Sequence, residues 1–202
     1  MGGARRNPLN RALDIAVAGT GLVLASPLLM LAGLAIKLEG GGPVLYRQTR
    51  VGKDGEDFEL FKVRTMVTGA EQLGAGYAVN RGDARITRVG RVLRRLSLDE
   101  LPQLWNVVRG DMSLIGPRPT LRYQVDQYDE RQRHRLDVKP GITGWAQIHG
   151  RTKLTWGERI ELDLWYVEHR SLLVDAKILL RTPGALVGGT YKGATGGWKP
   201  PQ

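Results

Sequence analysis

The sequence predicts an α+β chain: a helix-rich core with a small β-hairpin, preceded by an apolar helix that meets a membrane. Three observations predict it. Residues Ile15 to Ile36 carry no charge. Residues 44–63 alternate in strand fashion around a Gly-containing turn. Helix-start pairs then recur downstream, at Ser97/Glu100 and Thr155/Glu158.

At about 1.5 Å per residue, the uncharged run would be roughly 33 Å long as a helix. That is the length of a membrane helix. Arg5, Arg6 and Arg11 ahead of it would also suit a signal peptide. The run is long for that role, and a chain without cysteine gives no support to export. Ser26-Pro27 sits near the middle. Proline removes a backbone donor and crowds the preceding turn, so a sharp bend is expected, and the Ser26 hydroxyl can serve a freed carbonyl. Lys37, Arg47, Arg50 and Lys53 follow the run, so both flanks are basic. Basic flanks mark the cytoplasmic side. A re-entrant helix, broken at Ser26-Pro27, satisfies both features; a kinked span is the alternative. A soluble-core helix fits less well, because the run is apolar on every face. The predicted organisation is a membrane helix over 1–38, a cytosolic core over 39–187 and a Gly/Pro-rich tail over 188–202.

Composition narrows the chemistry. The 202 residues suit one domain, and 30 Lys and Arg against 20 Asp and Glu give a net charge of +10. Such a balance asks for an anionic partner. The absence of cysteine excludes disulfides, thiolate nucleophiles and Cys-ligated zinc. His134, His149 and His169 share no close spacing, which argues against a His-rich metal site. Neither a Gly-x-Gly-x-x-Gly loop nor a Walker loop occurs.

Gly40-Gly41-Gly42-Pro43 closes the apolar element. The hairpin pairs residues 44–51 with 58–63 across Gly52-Lys53-Asp54-Gly55. Alternation would set Lys62 and Arg64 on one face. Residues 71–80 read as a loop or frayed helix. Arg81, Arg85, Arg88, Arg91, Arg94 and Arg95 would line one side of a helix, as a solvated face or a phosphate-binding surface. A helix is expected from Ser97 to Val108, with Pro102 as an objection. Gly110-Asp111 ends it, and Gly116-Pro117-Arg118-Pro119 makes a rigid loop. Pro140 to Trp145 is turn-rich. Helices follow over 155–170 and 172–181; the second packs on the core or lies on a bilayer.

Chemistry falls to carboxylates and cations. Asp99-Glu100 lies within a helix N-terminus, where the dipole and free amides favour ionised carboxylates and bound anions. One carboxylate can serve as nucleophile and the other as metal ligand or orienter. Magnesium takes one or two carboxylates plus substrate phosphates. Acidic pairs are also common as structural features. An ordinary Asp, with a pKa of about 3.9, ionises at neutral pH without help.

The run from Arg88 to Pro119, containing Ser97-Leu98-Asp99-Glu100-Leu101-Pro102-Gln103-Leu104-Trp105-Asn106, resembles the signature of the bacterial sugar transferases. These are monotopic polyprenyl-phosphate phosphoglycosyl transferases that initiate glycoconjugate and polysaccharide assembly. The likeness extends to Ser26-Pro27, Gly42-Pro43-Val44, Gln48, Arg50-Val51-Gly52, Lys62-Val63-Arg64, Lys139 to Arg151, and Leu162 to Glu168. It covers residues 10 to 182. Val63, Thr65 and His149 depart from the usual pattern and leave sugar choice open.

The resemblance implies a helix-rich α+β fold around a small hairpin, and a re-entrant helix in the cytoplasmic leaflet of the bacterial inner membrane. It implies transfer of a sugar-1-phosphate from a UDP-sugar to polyprenyl (undecaprenyl) phosphate, with release of UMP. Asp99 would be the nucleophile, forming an aspartyl-phosphosugar. Glu100 would assist, with Mg²⁺ held by Asp99 and Glu100. Arg118 and Arg151 would contact phosphate or nucleotide, with Lys62 and Arg64 as weaker contacts. No nucleic-acid partner is expected, since aromatic residues are only 6% and offer few stacking platforms. The rival class, a membrane-anchored basic binding module without catalysis, explains the charge and the apolar run. It leaves the acidic pair among arginines unexplained. Neither the sugar nor the oligomeric state is readable.

Overall fold

The computed structural model describes residues 8–73, 79, 82–150 and 154–187. The first helix, α1, runs from Pro8 to Gly40 and contains Pro27. Without an N–H, Pro27 leaves the Val23 carbonyl without its helical donor. Ser26 Oγ donates to that oxygen at 2.8 Å. The expected hydroxyl rescue is present, and the helix continues through the proline instead of stopping.

Two separated stretches of α1 dock on the rest of the chain. Near its start, Ala18 is buried against Leu60, Val107 and Met112. Arg11 donates to the Val107 and Val108 carbonyls at 2.6 and 2.8 Å. These belong to the last turn of α3 (Gln103–Arg109), where the helical ladder of carbonyl partners runs out. Asp14 Oδ1 accepts from the Leu114 N–H at 3.2 Å. Near the other end, Ala32 and Ile36 pack on Val63 and Leu93. The Glu39 carboxylate accepts the Arg88 and Val89 N–H groups, at 2.6 and 3.1 Å. These are the first amides of α2 (Arg88–Arg95). Between the two docking points Val23, Leu24, Met30 and Leu31 are exposed.

The hairpin forms as expected. Strand β1 (Leu45–Val51) pairs antiparallel with β2 (Asp57–Val63), Leu45 opposite Val63 and Val51 opposite Asp57. The reversal uses positive φ at Asp54 (56°) and Gly55 (82°), which Asp and Gly tolerate. The open edge of β2 is covered by a helix side chain. Asn106 of α3, fully buried, accepts from Phe61 N at 3.0 Å and donates to Glu59 O at 2.6 Å. An amide that mimics a strand edge satisfies backbone groups that burial would otherwise orphan.

The arginine run does not form one helical face. Helix α2 begins only after Thr87, whose Oγ1 accepts from Gly90 N at 2.9 Å. Arg85 lies upstream, buried and paired with Asp83, and donates to the Ala70 and Leu73 carbonyls. Asp83 supplies a carboxylate where a continuing helix would supply solvent. Arg88, Arg91 and Arg95 are exposed, whereas Arg94 turns inward to Thr65 Oγ1 at 2.6 Å. Arg81 lies outside the described residues. Of the segment 71–80, a short 3-10 turn at Ala70–Gln72 is seen; residues 74–78 and 80 lie outside the described residues.

The helix expected from Ser97 splits in two. Ser97 adopts φ 55°, makes no side-chain cap and redirects the chain. A 3-10 turn spans Leu98–Glu100, and α3 starts after Pro102. Pro102 cannot donate to Leu98, so a continuous ladder fails there, while the first turn of a new helix tolerates it. Gly110, at φ 103°, ends α3 as expected.

The loop and turn readings around Gly116 and Pro140 conceal a parallel pair. Strand β3 (Ser113–Ile115) lies beside β4 (Gly141–Thr143). Short helices α4 (Arg122–Val125), α5 (Glu130–Arg133) and α6 (Trp145–Ile148) connect the remainder. Helix α7 (Trp156–His169) opens with the predicted Thr155/Glu158 box. Helix α8 (Leu172–Val187) runs past its predicted end at Arg181 and through Pro183. Ile178 of α8 joins Ile115, Trp145 and Tyr166 in one buried cluster.

Helix α2 approaches the loop after β2 through Gly90, where a Cβ would lie 2.0 Å from Thr65 O. Gly90→Ala is expected to destabilise the protein by about 1–3 kcal/mol or more. Thermal denaturation in detergent, compared with Gly19→Ala, whose Cβ would meet open space, checks this.

Candidate active site

The 3-10 turn between α2 and α3 presents the acidic pair. At three residues per turn its neighbours diverge by about 120°. Asp99 and Glu100 accordingly have different surroundings. Glu100 Oε1 accepts from Lys62 Nζ at 3.1 Å and from Arg118 Nη2; Arg118 Nη1 lies 3.4 Å from Oε2. Asp99 is 9% exposed, and its carboxylate has no hydrogen-bond partner among the described residues.

Electrostatics separate the two acids further. Burial raises the pKa of Glu100, but Arg118 and Lys62 more than offset it and hold the carboxyl far below the usual range. For Asp99, burial and then the Glu100 charge push the pKa up; Lys62, Arg94 and Arg118 oppose them. Asp99 therefore titrates above an ordinary aspartate, and these cations favour its anion. Burial also lowers the Lys62 pKa, against the pull of Glu100. Arg50 is brought to about 10 by burial and by Arg118. Its guanidinium has neutral partners, Gln48 Oε1 at 2.6 Å and Pro119 O at 3.2 Å.

Of the residues singled out in the sequence, Lys62 and Arg118 join the acidic pair. Arg64 does not. Strand β2 ends at Val63, so alternation no longer governs the next side chain. Arg64 donates to the Gly41 carbonyl and to Thr68 Oγ1, and lines a separate cleft with Glu39 and Arg88. Arg151 lies outside the described residues. Arg50 and Arg94 also turn toward the acids; one stands in the Arg50-Val51-Gly52 segment and the other in the arginine run, where nothing local tells an inward arginine from a solvated one. Four cations, Arg50, Lys62, Arg94 and Arg118, thus face two carboxylates, a surplus suited to a polyanion.

Arg118 is held from behind. Prolines flank it, and its carbonyl accepts from Arg135 Nη2 at 2.6 Å. Arg135, itself buried, donates to Asp163 Oδ2 (2.7 Å), Tyr128 Oη (2.7 Å) and Thr120 Oγ1 (3.2 Å). Helix α7 thereby fixes the loop that aims Arg118 at Glu100. A cleft of about 160 Å³ opens beside them, between α3, β4 and α8.

Comparison with known proteins matches this arrangement to a family. The profile of the bacterial sugar transferases matches residues 5–189. The chain belongs to the bacterial sugar transferase family. It is 43% identical over 174 residues to an uncharacterized sugar transferase, EpsL, of Bacillus subtilis (strain 168), covering 86% of this chain and 85% of that one. A UDP-glucose:undecaprenyl-phosphate glucose-1-phosphate transferase of Caulobacter vibrioides is 46% identical over 185 residues, 88% of this chain and 69% of that protein. A UDP-N-acetylgalactosamine-undecaprenyl-phosphate N-acetylgalactosaminephosphotransferase of Aeromonas hydrophila is 46% identical over 180 residues. There the match spans 86% of this chain but 42% of the longer relative.

In this sugar transferase the geometry supports a division of labour. Glu100 is ionised and immobilised by two cations. Asp99 feels the same cations but makes no hydrogen bond to them among the described residues. An Asp99 that must be ionised loses activity as pH falls through its raised pKa. Lys62→Met removes one of the cations that oppose this rise, so the acid limb of the pH–rate profile is expected to move to higher pH by about one unit. A pH profile of transferase turnover checks it. Asp163→Asn leaves Arg135 buried without its counter-ion and is expected to cost about 3–5 kcal/mol, read by denaturation.

Proposed function

We propose that this chain transfers a sugar-1-phosphate from a UDP-sugar to a polyprenyl phosphate at the cytoplasmic face of the bacterial inner membrane. The observation that carries the reading is an Asp99 carboxylate with no hydrogen bond among the described residues, beside a Glu100 held by Lys62 and Arg118, under a surplus of cations. The substrates named for the Caulobacter and Aeromonas relatives, UDP-sugars and undecaprenyl phosphate, support the same reaction class.

In the first step Asp99 Oδ attacks the β-phosphorus of the UDP-sugar. A bond forms between that oxygen and phosphorus, the bridging P–O bond breaks, and UMP leaves with the bridging oxygen. In the second, a phosphate oxygen of the lipid attacks the same phosphorus. The Asp99 carboxylate departs, leaving a lipid diphosphosugar. Phosphoryl transfer mostly demands positioning and charge stabilisation. Lys62 and Arg118 supply it, with Arg94 near the nucleophile and Arg50 behind Arg118. Arg151 and Arg64 remain assigned by resemblance alone.

Mg²⁺ fits the donor set. Asp99 and Glu100 offer the one or two carboxylates this ion accepts alongside substrate phosphates. Among the described residues no group of three or more His, Asp or Glu forms an all-protein cage. Bound there, the ion would neutralise diphosphate charge. Asp99 would remain the bond-forming atom donor and Glu100 the fixed orienter.

A re-entrant α1 is supported by its two docking points. Arg11 and Asp14 bind α3 and Leu114, and Glu39 binds the start of α2. A straight span needs roughly 20 residues in hydrocarbon. Between the Gly21–Leu104 approach and Leu29, which packs on the α2 cluster, α1 has no room for that. The exposed Leu172, Leu173, Leu179 and Leu180 of α8 would add to the membrane-facing surface.

With Mg²⁺, undecaprenyl phosphate and a panel of UDP-sugars, the protein in nanodiscs is expected to release UMP from a particular donor. Asp99→Asn should lower that release by about 10³-fold or more. Release that survives in Asp99→Asn overturns the nucleophile assignment; release from no donor overturns the reaction.

A further inference from the structure

One arginine beside Arg118 has no part in the ion network of the acidic pair. Arg159 lies near the start of α7, one turn before Asp163. Residues four apart share a helix face. That face meets the Arg118 loop. Asp163 Oδ2 holds Arg135, whose guanidinium carbon stands 6.0 Å from the centre of the Trp156 ring and whose Nη2 reaches the Arg118 carbonyl at 2.6 Å. Trp156, Arg159 and Asp163 therefore run along the side of α7 that clasps the loop.

The neighbouring guanidinium groups are satisfied. Arg118 has Glu100, Arg135 has Asp163, and Arg50 has Gln48 and the Pro119 carbonyl. Arg159 makes no hydrogen bond or ion pair among the described residues, and its Nε is buried without a partner. Buried N–H groups are normally bonded, so an orphan one needs a reason. Asp163 does not supply it: its second oxygen, Oδ1, is buried and unbonded as well. The charges that act on Arg159 are those of Arg118, Asp163 and Arg135, not those of Asp99 and Glu100. Arg159 thus lies on the far side of Arg118 from the acidic pair, where burial and Arg118 both disfavour its charge. An anion placed between the two arginines would relieve both effects.

We infer that Arg159 binds the phosphate of the leaving nucleotide, with Arg118 standing between it and the acidic pair. The assignment rests on the transferase reading above and deepens it. When the bond between the β-phosphorus and the bridging oxygen breaks, the electron pair stays on that oxygen, which becomes a terminal oxygen of UMP. A phosphate monoester has a second pKa of about 6, so the leaving group gains nearly a full charge at neutral pH. A planar guanidinium can bond two phosphate oxygens at once. Its attraction grows as the charge develops, which lowers the barrier rather than only tightening the donor. Arg159 would therefore act on the departing nucleotide, while Lys62 and Arg118 serve the acidic pair.

UMP and uridine differ only in the phosphate, so the pair isolates this contact. Inhibition by each is measured against the UDP-sugar with the full chain in nanodiscs, for the parent, Arg159→Met and Arg159→Lys. Exchange of labelled UMP into the UDP-sugar, without lipid, reads the donor half-reaction. Arg159→Met is expected to raise the Ki of UMP tenfold or more, to leave that of uridine within twofold, and to slow exchange by about 10- to 100-fold. Arg159→Lys keeps the charge but loses the fork, and should recover part of the UMP affinity. A purely structural arginine would not separate the two inhibitors. An equal rise for UMP and uridine, or no rise for either, would overturn the proposal. So would a higher KM for undecaprenyl phosphate with the UMP Ki unchanged, which would give Arg159 to the acceptor. A parent that shows neither UMP exchange nor turnover would sink the transferase reading itself.

Discussion

A single carboxylate gathers the working parts of this protein. Glu100 is drawn between Lys62 of the hairpin and Arg118 of the Gly116–Pro119 loop, while its own backbone belongs to the turn between α2 and α3. Removing a carboxylate from water is costly, and only the two cations make it favourable as an anion. Once Glu100 is tied, the adjacent Asp99 is placed beside the same cations without being consumed by them. One acid is tied to two cations, and the other makes no hydrogen bond among the described residues.

The rest of the fold keeps these three segments in register. Asn106 stitches α3 to the open edge of β2, so the turn carrying the acids cannot drift from the strand carrying Lys62. Arg135, Asp163 and Tyr128 hold the Arg118 loop from the other side. Helix α1 is tied in by polar groups at both ends: Arg11 serves the carbonyls ending α3, and Glu39 serves the amides opening α2. The two helices that flank the acidic turn are thus both capped by the apolar helix. The long apolar helix and the acidic pair thus share one frame.

Legibility followed the range of the interaction. The hairpin, the Thr155/Glu158 start of α7, the Gly110 stop and the Ser26–Val23 rescue depend on residues within a few positions, and each was readable. Ser97 misled because its pairing with Glu100 copies a capping box, whereas Glu100 is claimed by cations distant in sequence. Arg64 misled because alternation stops where the strand stops. Arg85 misled because a spacing pattern cannot see Asp83 folding back on it. The β3–β4 pair was hidden, since two three-residue strands joined by a long excursion have no local signature.

The sequence by itself determined the family, the acidic pair, the apolar helix with its proline and the cations from which the site is drawn. Those properties are carried by composition, spacing and motif. Only the tertiary structure decided which arginines turn inward, that Lys62 and Arg118 share Glu100 while Arg64 leaves for Gly41, and that Asp99 makes no hydrogen bond among the described residues. The reason is physical. A charge's role depends on its burial and on its nearest opposite charge, and here those partners are 38 and 18 residues away along the chain.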